Sequence, residues 1–98
     1  MNIIFEKLKK LIPYKTCLKE KQNDDLLIVA NENGDIFYLN ETSRDFYEHC
    51  NDSSTIEEIF RYMLDTYDVE EDELANDIVS MVRDLQWNNV LSLKEVVK

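Results

Sequence analysis

Apolar side chains recur at two different spacings along this chain, and the changes of spacing divide it into three stretches. In residues 2–12, Ile4, Phe5, Leu8, Leu11 and Ile12 stand at helical intervals, with Lys7, Lys9 and Lys10 mostly elsewhere on the wheel. Pro13 is expected to stop that helix. From residue 14 to residue 40 the spacing shortens. Residues 14–18 are short and mixed, 26–30 form an apolar run, and 36–39 are aromatic and β-branched, which predicts a three-stranded antiparallel meander. Residues 21–25 serve as its first break and Asn31 to Gly34 as its second, with the turn at Asn33 and Gly34. Alternation puts Phe37 and Leu39 on one face of the third strand and Ile36 and Tyr38 on the other.

Helical spacing returns at Asn40. Asn40 or Thr42 caps a helix reaching about residue 50. Ser54, with Glu57 three residues on, forms a capping box for a second helix carrying Ile56, Ile59, Phe60, Met63 and Leu64 on one stripe. A third helix begins in the acidic run 70–73, placed favourably against the helix dipole, and continues to about residue 86. Residues 90–93 read as a short extended return. The chain thus divides into a basic amphipathic N-terminal segment, 1–12, and a folded module, 13–98. The segment is expected either to lie on its own module or to dock on a partner or a membrane surface.

Length and composition sharpen this picture. The 98 residues suit one domain, and a single Gly and a single Pro disfavour a many-turned all-β sandwich. Net charge is −10, unevenly placed: residues 1–21 hold six lysines against Glu6 and Glu20, a net of +4 that leaves −14 for the rest. The expected order of three strands and three helices resembles a winged helix, an α+β class often used to bind DNA through a basic helix. The third helix has Arg83 as its only cation, so nucleic acid is not the expected partner. The longest fully apolar run, 26–30, is far too short to span a bilayer. Cys17 and Cys50, with no secretory signal ahead of them, read as reduced thiols of a cytoplasmic protein.

Catalytic chemistry has little to stand on. The one histidine, His49, is adjacent to Cys50, and helix neighbours point about 100° apart, so the two do not form a dyad. Two cysteines and one histidine cannot close a four-ligand zinc site. The acidic stretch 65–77 fails as a calcium loop, because Tyr67 and Val69, or in the other register Glu73, occupy positions needing oxygen ligands or glycine. Asp52-Ser53-Ser54 lacks the leucine of a carrier-protein attachment turn, and one Gly cannot build a phosphate loop. The expectation is a protein that is not an enzyme and needs no metal or cofactor.

The third helix is more informative. With Ile78 as zero, its apolar residues Met81, Leu74, Leu85, Val82, Ala75 and Val79 spread over about 160°, wider than the roughly 100° that one packing face needs. The surplus lies on the Ala75, Val79 and Val82 side, flanked by Asp72, Arg83 and Gln86.

Read together, Gly34-Asp35-Ile36-Phe37-Tyr38-Leu39-Asn40-Glu41-Thr42, then Ser54-Thr55-Ile56-Glu57-Glu58-Ile59, Asp77-Ile78 with Leu85, and Asn89-Val90-Leu91 resemble the PqqD-like family over roughly residues 12–93. Asn51 and Asn89 stand where that family often has glycine, and asparagine tolerates the left-handed conformation such turns require. The resemblance implies a winged-helix-like module that binds the leader of a ribosomally made precursor peptide and presents it to a separate maturation enzyme, such as a radical-SAM enzyme, a cyclase or a leader peptidase. It implies strand addition at the edge of the third strand, in a groove walled by the third helix. The residues expected there are Asp35, Ile36, Phe37, Tyr38 and Leu39 on the strand, and Asp72, Ala75, Val79, Val82, Arg83 and Gln86 on the helix. The alternative is an acidic adaptor for a basic protein, with the groove closed by a second copy as a homodimer.

Overall fold

An antiparallel meander does form, with its second and third strands where hydrophobic spacing indicates and its first strand displaced along the chain. The computed structural model describes residues 2–96. Their order is α1 (Ile3–Leu8), β1 (Ile12–Lys15), β2 (Lys19–Asn23), β3 (Leu26–Ala30), β4 (Ile36–Leu39), α2 (Glu41–Glu48), α3 (Ile56–Thr66), α4 (Glu71–Trp87) and β5 (Leu91–Lys94). The fold is α+β, with one antiparallel sheet in the order β2-β3-β4 and a second that pairs β1 with β5. The meander's first strand is β2, not residues 14–18. Its five residues are all exposed, so no apolar alternation marks them, and backbone pairing to β3 holds the strand. Asp24 turns that hairpin at φ 55°, a left-handed conformation that aspartate tolerates. Of the segment read as a strand, Tyr14 and Lys15 fall in β1, opposite Ser92 and Leu91 of the extended return.

The N-terminal helix stops at Leu8, well short of Pro13, which lies buried inside β1. Phe5 is its anchor, 6% exposed, with its ring centroid 4.8 Å from that of Phe60 on α3. Asn2 accepts from Phe5 N–H as the helix cap and donates to Asn76 on α4. The chain after α1 then crosses the start of α3, where the Lys9 and Leu11 carbonyls accept from the Glu57 and Ile56 amides. Two N–H groups that a helix start leaves free are thereby satisfied.

Asn40 caps α2 through the Ser43 amide, as expected. The capping box of α3 is one residue later than Ser54 and Glu57. Thr55 Oγ1 accepts from Glu58 N–H at 3.2 Å, and the Glu58 carboxylate accepts from Thr55 N–H at 2.9 Å. Ser54 is used differently: its amide, like that of Ser53, donates to Asn51 Oδ1 in the preceding turn. The left-handed residue of that turn is Asp52, at φ 68°, while Asn89 closes α4 at φ 61°. The core gathers Val29, Phe46, Ile56, Ile59, Met63, Ile78, Val82 and Val90. Tyr47 lies among them with its hydroxyl donating to the Val90 carbonyl at 2.9 Å, and burial pushes its pKa up.

Two expected outcomes follow from these placements. Thr55→Ala should lower stability by about 1 kcal/mol in urea unfolding, while Ser54→Ala should leave it nearly unchanged. The Cys50 thiol is buried against the Phe46 carbonyl, and burial raises its pKa from 9.0 to about 12. Above pH 9 the unfolded chain therefore releases a proton that the folded chain keeps. Stability should be complete below pH 9 and fall as pH rises toward 12, by up to about 1.4 kcal/mol per pH unit from this group. Comparing Cys50→Ala with the parent between pH 8 and 10 isolates it, and native alkylation should label half-buried Cys17 ahead of Cys50.

Candidate functional site

β4 is an edge strand, paired with β3 on one side and with no strand on the other. The turn that sets its register runs Asn31, Glu32, Asn33, Gly34, Asp35. Gly34 N–H donates to the Asn31 carbonyl, Asn31 N–H donates to the Asp35 carbonyl, and Gly34 sits at φ 89°. This is a three-residue hairpin loop with a glycine bulge, so the turn is centred on Glu32 and Asn33, with Gly34 following it. Counting from the Asn31–Asp35 pair, Phe37 opposite Val29 and Leu39 opposite Leu27 bond inward to β3. Ile36 and Tyr38 therefore turn their N–H and C=O groups to the open edge. The side chains alternate as expected: Leu39 is buried and Phe37 half-buried, while Ile36 and Tyr38 are 57% and 65% exposed.

A groove of about 400 Å³ runs along that edge. One wall is Ile36, Phe37, Tyr38 and Leu39; the other is Met81, Asp84, Leu85 and Asn88 of α4, with Ser43 of α2 alongside. One buried amide holds the two walls together. Asn31, 1% exposed, donates from Nδ2 to the Asn88 carbonyl at 2.9 Å and to the Asp35 carboxylate at 3.2 Å. Its Oδ1 accepts from the Asn33 and Asp35 amides, both at 3.0 Å. The beginning of β4 is thereby tied to the end of α4, and the walls run in opposite directions.

The helix residues expected at the site lie elsewhere. Val79, Val82, Arg83 and Gln86 line a separate cleft with Ile4, Leu8 and Trp87, between α1 and α4. Asp72 and Ala75 border Asn2, Phe5 and Glu6 of α1. Val79 is 6% exposed, and the surplus apolar arc is packed against the N-terminal helix. Asp35 stays near β4 but spends its carboxylate on Asn31. The wheel measured the width of the arc correctly. It carried no information on which flank faces the sheet, and the flank that does is Met81 with Asp84 and Asn88. Their signal was present as the opposite margin of the same arc.

The remaining polar clusters are structural. The Tyr62 and Tyr67 hydroxyls donate to the Asp45 carboxylate, at 3.2 and 2.8 Å, joining α2 to α3 and its exit. Burial, with the Asp45 hydrogen bond beside it, pushes Tyr67 up to about 12. His49 stacks on Tyr62 at 4.1 Å and sets Nδ1 2.8 Å from the Asp45 carbonyl, while the Cys50 thiol faces Phe46 instead. Among the described residues, no three His, Cys, Asp or Glu side chains converge as ligands, and no helix is long and apolar enough to cross a membrane.

An open strand edge beside a partly apolar helix wall is an arrangement to which an extended peptide can add as a strand. The family model of coenzyme PQQ synthesis protein D (PqqD) matches residues 25–91. That span is more than half of the chain and contains β3, β4, α2, α3, α4 and the whole groove, and the protein belongs to the PqqD family. Membership places it among accessory proteins of PQQ and peptide natural-product biosynthesis, a setting that fits a non-catalytic, peptide-binding role beside a modifying enzyme. Comparison with curated proteins and with solved structures gives no match.

Asn31→Ala should test what holds the groove together. It leaves the Asn88 carbonyl and two turn amides without their partner, an expected loss of about 2 to 3 kcal/mol in urea unfolding. Amide shift changes should concentrate at the β3–β4 turn and the end of α4.

Proposed function

We propose that this protein is a non-catalytic chaperone for a ribosomally synthesised precursor peptide. It binds the leader as an added strand on β4 and hands the precursor to a separate maturation enzyme. The observation that carries this reading is the open edge of β4 with its uncharged residues Ile36–Leu39, facing the Met81 and Leu85 wall of α4. Strand addition supplies main-chain hydrogen bonds through Ile36 and Tyr38, and the helix wall supplies side-chain contacts. Neither needs chemistry at the residues the enzyme later modifies. Family membership supports the partner class, since the matched span contains both walls. The N-terminal helix packs on the far side of α4, and the β4 groove lies on the other.

The test takes candidate precursor peptides from the gene's neighbourhood, in calorimetry with full-length, leader-only and core-only versions. The leader alone should bind as tightly as the whole precursor; binding by the core alone would sink the proposal. Tyr38→Pro removes an N–H that points to the open edge and is not needed by β3, so the sheet should survive, as edge prolines do. It should weaken leader binding by about tenfold or more, because a main-chain bond is lost and the ring obstructs the incoming strand. Arg61→Gln, on the exposed side of α3, should leave affinity unchanged. Should the groove instead close on a second copy, sedimentation would show a dimer that the leader does not dissociate.

A further inference from the structure

We infer that the groove selects a peptide segment in which a lysine or arginine follows or precedes an apolar residue two positions away. The inference rests on the peptide-binding reading above and names the chemistry of the segment that fits. A strand added to β4 alternates its side chains, so every second residue faces α4 and the others face solvent beside Ile36 and Tyr38. The main-chain contribution is short, because β4 spans four residues and only two direct their backbone groups outward. Sequence preference must therefore come from the inward-facing residues.

What those residues meet is Met81 and Leu85, with the Asp84 carboxylate at the rim. Among the described residues, Asp84 is the one acidic or basic side chain lining the groove, and it is exposed. Of the nearby cations, Arg83 lines the cleft on the α1 side of the helix, and Arg44 is bonded to Glu48 at 2.9 Å. Ser43 and Asn88, the other polar lining residues, are neutral. A lysine or arginine at an inward position lays its aliphatic stem over Met81 and Leu85 and brings its charge to Asp84. A glutamate at the same position meets Asp84 and the field of a chain with net charge −10.

Selection from a random linear peptide library against the intact protein, and in parallel against Asp84→Lys, tests this directly. Amide shift mapping of each selected peptide at residues 36–39 and 81–88 assigns its place. The parent should enrich Lys or Arg at one fixed position, with an apolar residue two away, and Asp84→Lys should enrich Asp or Glu there. For a selected basic peptide, Asp84→Asn should weaken binding about fivefold at low salt, and the difference should shrink at high salt. Peptides that map to the groove without a charge preference, or with one that Asp84→Lys leaves unaltered, would overturn the inference while the peptide-binding reading stands. Peptides that bind without perturbing β4 would overturn both.

Discussion

The geometry of the groove depends on one buried amide. Asn31 is the single buried amide side chain among the described residues, and its four hydrogen bonds join a hairpin turn to the Asn88 carbonyl at the end of α4. A side chain that both donates and accepts is needed there, since one end must satisfy turn amides and the other a helix carbonyl. The low dielectric around it makes any mismatch expensive, so the turn and the helix end are held in one relative position. The edge of β4 and the wall of α4 inherit that alignment. A groove made from two elements far apart in sequence thus has its spacing set outside the groove itself.

α4 is shared between two neighbours. One flank, through Ala75, Val79 and Val82, is packed beneath α1, and the other, through Met81 and Leu85, borders β4. Phe5 secures the first arrangement by reaching Phe60, and the carbonyls of residues 9 and 11 lock the chain after α1 onto the start of α3. The N-terminal segment therefore frames the groove indirectly, by supporting the helix from behind.

Much of the fold was legible because burial leaves a periodic trace. Residues 26–30 and 36–39, the Asn40 cap and the α3 stripe are where spacing puts them. β2 was illegible for the complementary reason: with all five residues exposed, nothing in Lys-Glu-Lys-Gln-Asn distinguishes a strand from a polar loop. The α3 cap was ambiguous by one residue, because Ser54 with Glu57 and Thr55 with Glu58 both have the required spacing. Only the turn built on Asn51, which occupies the Ser54 amide, decides between them. The facing of the groove's strand residues could be read from alternation, and the groove's place at that edge from the family resemblance. Its helix half could not, since which margin of a wide apolar arc meets the sheet depends on how α1 packs, a contact across some seventy residues of chain.

An edge that accepts a guest strand also accepts a copy of itself. β2, the opposite edge, carries Lys19, Glu20 and Lys21, charges of the kind that discourage unwanted pairing. β4 carries none, since its residues Ile36–Leu39 are uncharged. What opposes the pairing of two such edges is the long-range repulsion between molecules of net charge −10. That repulsion is tied to ionic strength through a screening length of about 8 Å in physiological salt.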